Sequence, residues 1–144
     1  MIRHPRSILG RALPLALLWG GMLVARAESG CGDFLAALHQ KQKDLVFQGC
    51  KQRTDLQGGP WEASYRVAGS HAAEVESHLA REFNIKRLQR TCCLWESAQN
   101  SYRDKQGRLF VISMSTEETT IDSRNQWAKI PYFYVKMDRY REDP

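Results

Sequence analysis

Three residues near the middle of the chain have the types and spacing to hold a metal ion. His71, Glu74 and His78 recur at i, i+3 and i+7, which places two imidazoles and a carboxylate on one helix face. The run is not His-Glu-x-x-His, and no further ligand or base is fixed beside it. A solvated helix face with a Glu74–His78 contact is the plainer reading, and no cofactor is expected.

Cys31, Cys50, Cys92 and Cys93 are the second group. An even count in an oxidising compartment reads as disulfides. Neighbouring side chains of a strand point to opposite faces, so Cys92 and Cys93 would reach different partners. The two pairings that join one of them to Cys31 and the other to Cys50 are therefore favoured. The third, Cys31–Cys50 with Cys92–Cys93, needs a strained vicinal ring. There is no Cys-x-x-Cys, and the spacing lacks the pairs of a zinc knuckle.

Glu117 and Glu118 stand in a polar stretch with Ser115, Thr116, Thr119, Thr120 and Asp122. Two carboxylates can act as acid and base only where the fold separates and tunes them, so a recognition loop is the functional alternative to a plain polar loop. Tyr132 and Tyr134 alternate with Phe133 and Val135, and they would form an amphipathic contact surface if their face of the strand is open. There is no Gly-x-Ser-x-Gly elbow and no phosphate-binding glycine loop.

The elements that position these residues follow from periodicity. Asp33 caps a helix predicted over 34–42, with Phe34, Leu35 and Leu38 as its apolar stripe. Strands are predicted over 45–51, with Leu45 and Phe47 opposite Val46 and Cys50, and over 61–67, where Trp61, Ala63, Tyr65 and Val67 alternate with Glu62, Ser64 and Arg66. The two should pair as an antiparallel hairpin. A second helix runs over 71–83 on Ala72, Val75, Leu79 and Phe83, ending at Asn84. Further strands are expected over 88–96, 108–115 and 132–137, with a turn at Asp104–Gly107 and loops over 97–107 and 116–129. The order α-β-β-α-β-β-β gives an α+β domain, a mainly antiparallel sheet of about five strands with two helices on one face, linked by disulfides.

Residues 1–27 have the form of a cleavable secretory signal. Arg3, Arg6 and Arg11 precede an uncharged run, Ala12–Ala25, and Ala25-Arg26-Ala27 offers the small residues of a cleavage site. The run is too short, and too broken by Pro14 and Gly20-Gly21, to span a bilayer stably after processing. Of the 21 basic and 16 acidic residues, four arginines and no acid fall in this segment. The remaining domain, 28–144, is therefore close to neutral and gives no ground for a nucleic-acid partner. Sec export to the periplasm or beyond is the expectation.

Cys31-Gly32-Asp33-Phe34-Leu35, Tyr65-Arg66-Val67-Ala68-Gly69 and Cys92-Cys93-Leu94-Trp95 resemble a family of small exported proteobacterial proteins with no assigned function. The resemblance implies export and supplies no functional residues. A single small domain with no assembled catalytic set reads best as a protein-binding module, inhibitor-like or immunity-like, with another envelope protein as partner. A small periplasmic hydrolase using His71, Glu74 or the Glu117–Glu118 loop is the rival, and a small-molecule or lipid carrier is a third reading.

Overall fold

The computed structural model describes residues 30–141. Residues 1–27, where a secretory signal is expected, lie outside them. Seven strands form one sheet: β1 (Val46–Gln52), β2 (Trp61–Ala68), β3 (Gln89–Thr91), β4 (Leu94–Glu96), β5 (Asn100–Arg103), β6 (Leu109–Thr116) and β7 (Tyr132–Arg139). Their spatial order is β1-β2-β7-β6-β4-β3, with β5 also paired to β6, and every pairing is antiparallel. The helices are α1 (Phe34–Ala37) and α2 (Ala72–Phe83), with 3₁₀ turns at Gly69–His71 and Arg124–Lys129.

Alternation along the long strands sets the core. Ala63, Tyr65 and Val67 of β2, Phe110, Ile112 and Met114 of β6, and Phe133, Val135 and Met137 of β7 are buried on one face. Phe34 and Leu35 of α1, Val75, Leu79 and Phe83 of α2, and Trp127 pack onto that same face. The expected β1–β2 hairpin forms. So does the left-handed stop of α2 at Asn84, φ 54°.

Four expectations need correction. Helix α1 ends at Ala37 instead of 42, because His39 takes a left-handed conformation (φ 57°) that an α-helix cannot continue. The strand expected over 88–96 is a hairpin, β3 turning into β4 at Cys92-Cys93, with Cys92 at φ 52°. The polar stretch after residue 97 contains β5. Asn100 Nδ2 donates to the Phe83 carbonyl at the end of α2 (2.7 Å), and the Tyr102 ring meets Phe83 edge-on at 4.9 Å. The sheet thus has seven strands, not five, in the order α-β-β-α-β-β-β-β-β. Finally, β1 is bulged between Phe47 and Gly49. The extra residue shifts the alternation, so Cys50 shares the core face with Phe47 instead of the outer face with Val46.

That bulge decides the disulfide. Cys50 turns toward the segment leading into α1 and bonds to Cys31, 19 residues away. Cys92 and Cys93 are free thiols at the far end of the sheet, so neither favoured long-range pairing forms. The chain-entropy estimate for so short a loop is about 3 kcal/mol.

Candidate functional site

The face of the sheet opposite the helices is the surface best placed for recognition. Cross-strand register builds it row by row. Val46, Arg66, Tyr134 and Ser115 lie side by side across β1, β2, β7 and β6. Ser64, Lys136 and Ser113 form the next row, and Lys51, Glu62, Asp138 and Val111 the one after. Both helices bury their apolar residues in the core on the other side, and no described helix packs over these rows. Val46 is 50% exposed and Tyr132 40%, and Tyr134 and Arg66 are partly exposed. The Arg66 guanidinium lies over the Tyr132 ring at 4.6 Å, a cation–π contact that orders a long side chain.

One row holds a feature absent from the sequence reading. Glu62 and Asp138 are direct cross-strand neighbours, and both are buried, at 3% and 9% exposure. Like charges so placed repel. Arg53 resolves half the conflict: its NH1 donates to Glu62 Oε2 at 2.5 Å, and its other nitrogens hold Asp55 at 2.9 and 2.6 Å. Lys51 adds a longer contact to Glu62, 3.7 Å. Asp138 gets no such clamp, and its Oδ1 has no hydrogen-bond partner among the described residues. Burial, then the nearby Glu62 charge, pushes its carboxyl up to about 6. Glu62 is thus already paired from within the chain by Arg53 and Lys51. The accessible charges on the face, Lys51, Arg66 and Lys136, are basic.

The metal-type cluster is rearranged. His78 leaves it: Nε2 meets the Gln40 carbonyl at 2.8 Å, and Nδ1 lies 3.2 Å from Arg81. Asp44, from the loop before β1, takes its place, and one ligand atom from each of Asp44, His71 and Glu74 falls within 4.8 Å of the others. His71 Nδ1 is 3.7 Å from Asp44 Oδ2. The cluster sits at the N-terminal end of α2, where the helix dipole favours carboxylates without any ion.

Glu117 and Glu118 are exposed, as a recognition loop would need, but the loop behind them is tied down. Arg90 donates to the Ile121 and Thr119 carbonyls, Trp95 Nε1 to the Ile121 carbonyl at 2.9 Å, and Thr119 N to the Cys93 carbonyl at 2.6 Å. Glu117 is solvated, and Glu118 lies against the Cys93 thiol. A cavity of about 510 Å³ opens at one end of the sheet beside Trp61, Tyr140 and four arginines. Arg108 there is paired to Asp104 at 2.6 Å, Arg139 lies over Phe34, and Arg141 lies over Trp61.

A family profile for a domain of unknown function, DUF4952, matches residues 22–95, more than half of the 144-residue chain. The chain belongs to the DUF4952 family. No curated protein and no solved structure matches it. The DUF4952 segment includes the Cys31–Cys50 bridge, Arg66, Glu62 and the Cys92-Cys93 turn, whereas Tyr132, Tyr134 and Asp138 follow it. The open face is therefore shared between the family segment and the strands β6 and β7 that complete the sheet.

The carboxylate row has a testable consequence. The Asp138 carboxyl binds its proton more tightly in the folded chain than in the unfolded one, where its value is near the ordinary 3.8. Its contribution to stability is fully present below that unfolded value and is lost as pH rises through about 6. Asp138→Asn is expected to stabilise the fold by about 1–2 kcal/mol at pH near 8, less than the full shift implies because the amide also needs hydrogen-bond partners there. Near pH ~2.5, below the ordinary value as well as the raised one, the same substitution is expected to change little, since the native side chain is then neutral in both states. Denaturant unfolding at the two pH values measures both, and an equal effect at each would contradict the repulsion.

Proposed function

We propose that this chain is an exported, non-catalytic binding domain of the cell envelope, and that it holds a partner protein on the open face of its sheet. The observation that carries the reading is the Arg66–Tyr132 stack, exposed on a face that no described helix covers. Tyrosine and arginine dominate interface energetics because each offers a large contact area and a polar tip. Val46 and Tyr134 extend the patch, and Lys51 and Lys136 flank it. Those exposed basic groups suit a partner surface that carries carboxylates.

Export is supported by the signal-like segment 1–27 and by a disulfide fixed in the fold. Among the described residues, no helix is long and apolar enough to cross a membrane. A hydrolase finds little support: Glu117 and Glu118 are exposed, and Asp138, whose carboxyl is pushed up, is enclosed. A lipid carrier needs a deep apolar pocket, and the cavity of about 510 Å³ at the end of the sheet is lined by four arginines.

The test is a partner recovered from envelope extract, purified, and titrated against the native chain, Arg66→Glu and Tyr132→Ala. Each substitution is expected to weaken binding by about tenfold or more while leaving the unfolding midpoint near the native value. Native affinity in both variants would remove the open face from the proposal.

A further inference from the structure

Cys92 and Cys93 occupy the two-residue turn between β3 and β4, where Thr91 pairs directly with Leu94. In a strand, adjacent side chains diverge. Here they do not. The left-handed backbone of Cys92, φ 52°, breaks the alternation and leaves the two thiols within hydrogen-bond reach of each other. Neither is bonded; Cys92 is exposed and Cys93 is half-buried. Glu118 lies against Cys93, and the Cys93 carbonyl accepts from Thr119 N at 2.6 Å, which fixes the turn against the following loop. A left-handed conformation is costly for a residue with a β-carbon, and a turn made of two cysteines supplies no glycine to relieve it.

We propose that the Cys92-Cys93 turn is a reversible redox site, closing into a vicinal disulfide by exchange with a small-molecule disulfide. The Cys92 thiolate, the exposed one, attacks one sulfur of the reagent and expels its first thiolate, leaving a mixed disulfide on Cys92. The Cys93 thiolate then attacks Cys92 Sγ and expels the second. Two cysteine thiols are oxidised, the reagent is reduced to two thiols, and the two cysteine protons end on them. The order follows from access: Cys92 is exposed and Cys93 half-buried, so the reagent meets Cys92 first, and contact with Cys92, burial and then Glu118 push the Cys93 thiol up. Because the second step is intramolecular, the mixed disulfide is short-lived. The resulting eight-membered ring departs from relaxed disulfide geometry, so mild reductant reopens it. This site is separate from the Cys31–Cys50 bridge and from the open face, and it holds whether or not that face binds a protein.

The full chain is incubated natively with oxidised glutathione, then denatured, alkylated and mapped by peptide mass spectrometry. The expected result is loss of two hydrogens, no retained adduct, no alkylation at Cys92 or Cys93, and recovery of both thiols with mild reductant while Cys31–Cys50 persists. Cys93→Ser is expected to trap glutathione on Cys92. Alkylation of both thiols after oxidant treatment, a stable adduct on native Cys92, or bridges from either residue to Cys31 or Cys50 would each overturn the proposal.

Discussion

Gly69→Ala is expected to leave little folded protein at ambient temperature. A β-carbon at this position would lie 2.1 Å from the Trp127 carbonyl oxygen and 2.2 Å from that of Ile130. Both are backbone atoms, so no side-chain rotation relieves the clash. Gly69 opens the 3₁₀ turn into α2, and the carbonyls belong to the segment that carries Trp127 into the core and leads into β7. Relief would separate α2 from β7. The cost is about 4 kcal/mol or more, a large part of a small domain's stability. Near-ultraviolet circular dichroism and denaturant unfolding measure it, and a midpoint close to the native one would show that the two segments do not approach as described.

Glu76→Ala is expected to cost about 3–5 kcal/mol. Glu76 is buried at 2% exposure on α2 and accepts from Leu88 N at 2.7 Å. Arg124 meets it with a fork, 2.8 and 2.9 Å, donates to the Leu88 carbonyl at 2.7 Å, and lies over Trp127 at 4.5 Å. Alanine would strand one backbone N–H and one guanidinium at once. Burial alone would lift this carboxyl, but the Arg124 fork and the Leu88 N–H hold it below its ordinary value. The pair therefore stabilises the fold above the usual carboxylate range, and its contribution fades as pH falls through the depressed value. Glu76→Gln keeps an acceptor for Leu88 and should recover part of the loss. A double-mutant cycle with Arg124→Met, followed by urea unfolding, isolates the coupling; a cycle that sums to zero would reduce the fork to a bystander.

Periodic apolar runs were legible in the sequence because burial dictates them directly. The alternation of Trp61–Val67 and the stripe of α2 each correspond to an element within a residue or two of its expected ends. Elements held by single contacts were not legible. Strand β5 contains one aromatic, Tyr102, and exists because that ring and Asn100 both find Phe83. The Cys92-Cys93 turn carries neither glycine nor asparagine, so it read as uninterrupted strand. The bulge between Phe47 and Gly49 is a single extra residue, yet it reverses the face of Cys50 and with it the disulfide pairing.

The candidate site divides in the same way. Tyr132 and Tyr134 were visible as an amphipathic pair because strand alternation separates them from Phe133 and Val135. The Glu62–Asp138 row was not, since it depends on register between strands 76 residues apart in sequence and on β7 running two residues further than its apolar pattern. Asp44 joining His71 and Glu74 is a contact between a loop and a helix end, which no helical spacing encodes.

The most direct measurement places a photoreactive amino acid at position 134 on the open face, and separately at the partly exposed Glu82 on α2, then irradiates cells expressing each full-length chain. Attachment of one recurrent envelope protein at position 134, and none at position 82, is the result expected of a sheet whose uncovered side is the binding surface. Attachment from the helix side alone, or from neither position, would contradict it.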